Sequence, residues 1–343
     1  MTTDSATGPP ALACPLRGMV WRDGVVEDAE VTLDEISSVA EDDGRLVWLD
    51  LVGPSAADVE ALADRLGLGP TVVEDVTAPH ERPKVIRAAD HLFFMTYAVG
   101  LRPEVDAMGD GHGRLTTSRV SGLILPNGIV TIREDDAFDM DEVVRRWNEN
   151  ADLLAKGPGA LLHGLLDAIV DGQFETIQEL DDAIEGLEDV LFTNRGVGGE
   201  FLRRIYGFRK DLVELRRIVL PTRELVNGVL RHRAEDAQLL SKWYDDLYDH
   251  VLRAAEWTES LRDMVTTLFE TNLSMQDTRL NQVMRKLAAW AAIIAVPTAV
   301  TGWFGQNIPY PGFSKPLGLW LSAVLIVAIS GGLWLGFRKR GWL

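Results

Sequence analysis

The final 63 residues, Asn281–Leu343, contain neither aspartate nor glutamate, in a chain of 343 residues with 52 acids and a formal net charge of −18. This tail holds six bases: Arg285, Lys286, Lys315, Arg338, Lys339 and Arg340. Taking those six positive charges away from −18 leaves −24 on residues 1–280. A strongly acidic body therefore ends in a segment from which carboxylates are excluded. Within it, Leu287–Ser314 carries no charged side chain for 28 residues and Pro316–Phe337 none for 22. A hydrocarbon core of roughly 30 Å takes about 20 helical residues. The spacing thus predicts membrane helices over 287–304 and 316–337, joined by a loop over 305–315. Pro297 falls inside the first span and is expected to cost it one backbone hydrogen bond.

Orientation follows from the bases. Arg279, Arg285 and Lys286 precede the first span, and Arg338, Lys339 and Arg340 follow the second, whereas the loop holds only Lys315. The positive-inside rule then places the body, the basic tail 338–343 and both termini in the cytoplasm of a cell bounded by this plasma (inner) membrane. Trp303, Phe304 and Tyr310 near the outer end, with Trp334 and Trp342 near the inner end, suit interfacial belts. No apolar leader precedes the body, and residues 1–15, rich in Thr, Ser, Pro and Ala, are expected to be disordered. The single cysteine, Cys14, excludes an intramolecular disulfide and fits a reducing compartment.

Residues 16–135 read as a mixed α/β unit. Arg45–Leu51 is a strand ending at Gly53-Pro54, after which Ser55 caps an amphipathic helix to Leu66. Lys84–Ile86 and Leu92–Leu101 read as strands, and Asn127-Gly128, between Gly122–Leu125 and Ile129–Arg133, signals a hairpin. The polar stretch Pro103–Gly113, with three glycines, reads as a loop. Residues 136–286 form a helical region, with helices predicted near 137–150, 158–192 and 199–232. A fourth starts near 236, where Leu240, Tyr244, Leu247, Val251, Ala254, Leu261, Val265 and Leu268 recur at steps of three and four. Neither Pro nor Gly interrupts Ala234–Val296. A helix of roughly 60 residues would be about 90 Å long, a stalk running into the first span.

From Asn281, alternate steps of three and four reach Met284, Ala288, Ala291, Ala295, Thr298 and Gly302, with Leu287 at the edge of this face. The stripe is small or polar, and Glu270 and Asp277 continue it upstream. Close helix packing is one reading of such a face. The other is the lining of a narrow path through a symmetric assembly, since two spans per chain cannot enclose water alone.

Two C-terminal spans joined by a short loop that opens with Gly305-Gln306-Asn307, after a long helix and an acidic α+β domain, resemble the CorA superfamily of divalent-cation transporters. Trp48-Leu-Asp-Leu51, Glu74-Asp75, Arg82-Pro-Lys84 and Asp90-His-Leu-Phe-Phe94 are similar to that family's N-terminal domain. The resemblance covers about residues 16–343. It implies a CorA-like funnel, a homopentamer with the first span lining the pore, and Gly305, Gln306 and Asn307 as the selectivity filter. Asn281, Met284, Leu287, Ala288, Ala291, Ala295, Thr298 and Gly302 would line the path, with a hydrated divalent cation as cargo and no other cofactor. Mg²⁺, which sheds its waters reluctantly, fits amide oxygens at the outer mouth. Intracellular metal at acids would hold the closed state; Asp245, Asp246, Asp249, Glu270 and Asp277 are the candidates. Gln306 stands where the commonest family form has Met, Phe304 replaces the usual Tyr, and the loop lacks the glutamate common in magnesium transporters. These departures leave open a ZntB-like Zn²⁺ transporter, with or without proton coupling. A membrane-tethered cytosolic metal sensor is the alternative of another class.

No Walker or dinucleotide glycine motif supports an enzyme; Gly196–Gly199 reads as a linker. The six histidines show no metal-ligand spacing. The body's acidity opposes nucleic-acid binding, and its acid pairs, Asp135-Asp136 and Asp181-Asp182, read as solvated helix faces. The partners expected are further copies of the chain, lipid and metal ions.

Overall fold

A computed structural model of the chain describes residues 12–28, 44–78, 81–88, 91–103, 113–193, 199–232, 234–306 and 309–343. The expectations for residues 1–11, for 104–112 of the polar loop and for Gly196 and Gly198 lie outside the described residues, as does Asp90. The chain divides into two compact units, residues 1–266 and 267–343.

Among its described residues, the first unit has one seven-stranded sheet. Its strands are β1 Leu16–Arg22, β2 Val25–Asp28, β3 Arg45–Val52, β4 Lys84–Arg87, β5 Leu92–Leu101, β6 Leu115–Leu125 and β7 Gly128–Arg133. They lie in the order β2-β1-β3-β7-β6-β5-β4, and the central β3–β7 pair is parallel while its neighbours are antiparallel. Side chains alternate between two cores, as a pleat of period two requires. Trp48 and Phe94 enter one, while Val47, Leu49, Phe93 and Met95 enter the other. Because both faces are covered, β3 reads as a nearly continuous apolar run.

One face carries α1 Ala56–Leu66 and α2 Pro70–Thr77, through Val59, Leu62, Val72 and Val76. Ser55 caps α1 as its sequence predicts: its hydroxyl accepts from the Asp58 amide, and Asp58 accepts in return from the Ser55 amide. The other face carries α3 Met140–Glu149, α4 Ala151–Leu154, α5 Pro158–Thr193, α6 Gly199–His232 and the start of α7 Ala234–Phe304. Trp147 of α3 meets Trp21 and Trp48 edge-on, at 5.9 Å and 5.3 Å between ring centroids, and its indole N–H donates to the Leu161 carbonyl. Such pairs add about 0.5–1.5 kcal/mol beyond burial.

At the end of the parallel pair, Asp50 and Arg133 form a buried ion pair, Nη2 to Oδ2 at 2.6 Å. Thr131 donates to the other Asp50 oxygen at 2.6 Å and accepts from Trp48 Nε1 at 3.0 Å. Every strong donor and acceptor here is answered, which is the condition for a buried pair to be tolerated.

Two expectations need correction. The β6–β7 hairpin exists, but Leu125 pairs with Gly128, so Pro126 and Asn127 are its turn residues. Asn127 keeps a negative φ, and Pro126 suits the first central position of a type I turn. Gly128 is needed for another reason: a Cβ there would lie 2.3 Å from the Val47 carbonyl oxygen of β3. Nor does the pair Asp135-Asp136 lie on a helix: Asp136 binds Arg133 and Asp135 accepts from Ser118, both just beyond β7. Asp181-Asp182 does lie on α5, with Asp182 exposed and Asp181 half-buried, its carboxylate accepting from the Trp257 indole at 3.1 Å.

α7 is a single helix of 71 residues that contains Pro297, and α8, Pro316–Lys339, follows it.

Candidate functional site

The second unit begins partway along α7. Asn281, Met284, Leu287, Ala288, Ala291, Ala295, Thr298 and Gly302 are all exposed on the single chain. Helical periodicity sets them on or beside one face. Of residues 281–306, all described, Ala289 alone is buried. A Cβ on Gly302 would meet nothing within 4 Å, so its own chain gives no packing reason for a glycine there. The hydroxyl of Thr301 donates to the Pro297 carbonyl at 2.8 Å and that of Thr298 reaches Ile294 at 3.4 Å. Both are satisfied inside the helix, as hydrocarbon demands.

The helix ends at the tripeptide. The Gly305 amide donates to Thr301 and the Gln306 amide to Trp303, leaving both residues exposed. Asn307 lies outside the described residues. Past it, the Tyr310 ring stands edge-on to Phe304 at 5.0 Å and to Phe313 at 5.4 Å, and its hydroxyl donates to the Phe304 carbonyl. Gly312, at φ 95°, packs so closely on the first turn of α8 that a Cβ would lie 3.0 Å from the Gly318 nitrogen. The loop is thus fastened to the ends of both helices by aromatic rings. At the far end of α8, Arg338 lies over the Trp334 ring at 5.0 Å, and Phe337 stacks on Trp342 at 5.5 Å. Both helices are long and apolar enough to cross a membrane, and only 6% of the most apolar window of each is buried.

The acids chosen from the sequence do not gather. Asp245, Asp246 and Asp249 are exposed on α7 in the first unit, and Glu270 and Asp277 are exposed further along it. Asp246 alone has a neighbour of interest, the His250 imidazole at 3.9 Å. Among the described residues, one group could hold a metal ion: Asp167 and Asp171 of α5 with His250 of α7. The histidines show no metal-ligand spacing in the sequence; tertiary packing is what brings His250 to Asp167 and Asp171. The legible part was an i, i+4 pair on each helix, Asp167 with Asp171 and Asp246 with His250.

Arg146 of α3 currently answers this group, at 2.6 Å from Asp171 and 3.4 Å from Asp167. Hydrogen bonding to Glu142 leads the causes that hold its guanidinium above the ordinary arginine range. Burial pushes the Asp167 carboxyl up and the neighbouring His163 imidazole down. His163 faces the Trp243 carbonyl at 3.2 Å. Any divalent ion entering would compete with Arg146 for the two carboxylates.

Against known proteins, residues 43–339 match the family model described as CorA-like Mg²⁺ transporter protein. The chain is 27% identical over 332 residues to the cobalt/magnesium transport protein CorA of Thermotoga maritima, covering 93% of this chain and 90% of that one. It is 25% identical over 313 residues to the zinc transport protein ZntB of Pectobacterium carotovorum, covering 86% and 88%. The complete structure of the CorA magnesium transporter from Methanocaldococcus jannaschii is similar with a TM-score of 0.73 at 24% identity, over 97% of this chain and 100% of that one. An α+β domain, a long helix and two apolar C-terminal helices are what the two folds share.

Proposed function

The chain belongs to the CorA-like Mg²⁺ transporter family, whose members carry divalent cations across membranes, and on that premise we propose that it conducts hydrated Mg²⁺ through a path lined by the first membrane helix of five copies. The observation that carries this reading is the acid-free face of α7. Eight residues from Asn281 to Gly302 are small or uncharged and exposed, and their own chain offers nothing to cover them. Copies of the same helix around a water-filled axis would cover them. A lining without carboxylates suits Mg²⁺, which keeps its waters and would bind a bare carboxylate too tightly to move on.

Gly305, Gln306 and Asn307 form the outer filter in this proposal, where amide oxygens meet the ion's water shell. The body and both termini lie in the cytoplasm, and Arg338, Lys339 and Arg340 hold the inner end of α8 there. Feedback comes from the acids of the body. The group of Asp167, Asp171 and His250, with Asp246 beside it, is a better-supported binding position than Asp245, Asp249, Glu270 or Asp277. Ion binding there would replace Arg146, and with it the ion pairs that join α3 to α5.

Purified protein in liposomes should admit Mg²⁺ down its gradient, and Asn307→Ala should cut the flux about tenfold, the scale of one hydrogen bond to a charged group. A tight vesicle that admits no Mg²⁺, Co²⁺, Ni²⁺ or Zn²⁺ would refute transport, and a wild-type response to metal with Asn307 irrelevant would favour a sensor. The second reading takes Zn²⁺ as cargo, with or without proton coupling. Gln306 in the middle of the tripeptide departs from the commonest Met and so leaves the ion open, and a Zn²⁺ flux without a Mg²⁺ flux selects this reading.

A further inference from the structure

One cleft in the first unit carries charge opposite in sign to the chain around it. It has a volume of about 670 Å³ and lies between α6 and the segment that enters β4 and β5. Arg82, Arg209, Lys210 and Arg217 line it, in a molecule whose net charge is −18. On α6 the lining residues Tyr206, Arg209, Lys210, Val213 and Arg217 recur at helical spacing and so share one face.

Several bases elsewhere on this body find carboxylates, and others, such as Arg102 and Arg119, find backbone carbonyls. Arg145 and Arg146 bind acids on or near their own helix, and Arg216 binds Glu259. Arg217, next in the chain to Arg216 but turned to the cleft, makes no ion pair among the described residues, and neither do Arg82, Arg209 and Lys210. Of the two acids in the lining, Glu81 is engaged by Lys84, and Glu214 lies on the same face of α6. Four bases against two acids leave the lining net positive, and a multivalent anion stabilises such a cleft most.

We infer that this cleft binds a phosphorylated small molecule of the nucleoside polyphosphate class. Guanidinium forks match phosphate oxygens two at a time, and three arginines with a lysine suit three or four negative charges. A cavity of this volume falls in the range of ligand pockets and is larger than inorganic phosphate needs. Two tyrosines supply ring faces for a base: Tyr97, whose ring is fixed by its hydroxyl donating to the Glu81 carbonyl at 2.7 Å, and Tyr206 at the rim. A nucleic-acid strand fits less well, because the acidity of the rest of the body repels a long polyanion. The inference is independent of the transport reading.

The test is calorimetric titration of the full chain in detergent, without added divalent cation, using ATP, AMP and pyrophosphate in turn. ATP should bind once per chain, AMP about tenfold or more weaker, and Arg209→Glu with Lys210→Glu should weaken ATP at least about tenfold with the circular dichroism spectrum unchanged. If that double variant misfolds, Arg217→Gln provides the milder case, with a smaller loss in the same direction. Tyr206→Ala should weaken ATP and leave pyrophosphate unaffected; equal behaviour of the two anions would overturn the nucleoside part. No heat from any of the three at millimolar concentration, or an ATP affinity indifferent to the charge reversal, overturns the site. A change of oligomeric state in the variants, without a change in anion affinity, assigns the cleft to contact between copies and overturns it equally.

Discussion

The two units of this chain treat their apolar residues in opposite ways. In the first, Trp21, Trp48, Phe94 and Leu161 are fully enclosed, and the ion pair under them is answered by Thr131. In the second, Leu319 and Val327 are each 72% exposed and Trp303 is 66% exposed. Burying a leucine is worth about 1.5–3 kcal/mol, so a fold that leaves so many uncovered in water would not persist. The difference shows what each unit needs. The first is explained by contacts its own chain makes, whereas the second is explained by the membrane that its two apolar helices are built to cross.

Substitutions in the first unit should therefore register as stability, and substitutions on the exposed face of α7 as flux. The largest effect is expected from Asp50→Asn, which strands Arg133 in the sheet and should cost about 3–5 kcal/mol. Urea unfolding of the purified protein, followed through the fluorescence of the enclosed tryptophans, measures it. Ser55→Ala removes the cap of α1 and should cost about 1 kcal/mol by the same readout. Thr298→Val reverses the pattern: the unfolding free energy should change by no more than about 0.5 kcal/mol, while Mg²⁺ flux falls a few-fold. If Thr298→Val lowered stability as much as Ser55→Ala, the face would be a packing surface and the contrast between the units would fail.

The smallest effect concerns pH. Burial holds the His163 imidazole below its usual 6.5, so the folded chain refuses a proton that the unfolded chain accepts. Its contribution to stability is complete above pH 6.5 and is lost as pH falls through the lower folded value. Burial moves Asp167 the other way, so that its carboxyl favours the folded state at acid pH and loses that advantage as pH rises. His163→Gln should flatten the loss just below pH 6.5 in unfolding curves taken at several pH values.

Legibility in the sequence followed how local the cause was. β3, β5 and β7 show as apolar runs bounded by turn residues, and the long helices show in periodicity, because their apolar residues repeat at steps of three and four. β1 does not, since Arg17 and Gly18 interrupt it and its strand form depends on pairing with β3 along its whole length. The first half of β6 was equally hidden: Thr116, Thr117 and Ser118 resemble a loop until β5 pairs with them. α2 was marked by Pro70 at its first turn after Gly69, a start signal that was available in the sequence. In the second unit the spans and the stripe were legible because absence of charge is itself a pattern. The group of Asp167, Asp171 and His250 was not, because its members lie on two helices far apart in sequence and meet only through packing.

The rings at the end of α8 have a further consequence. Arg338 over Trp334, and Phe337 on Trp342, fix the depth at which that helix meets one bilayer surface, while Tyr310 and Phe313 do so near the other. The 22 uncharged residues of Pro316–Phe337 span about 33 Å against a hydrocarbon thickness of roughly 30 Å. With both ends pinned, the excess is taken up by inclination, and a thinner bilayer must lean the helix further rather than let it slide. Bilayer thickness thereby becomes a variable to which the loop between the two spans responds.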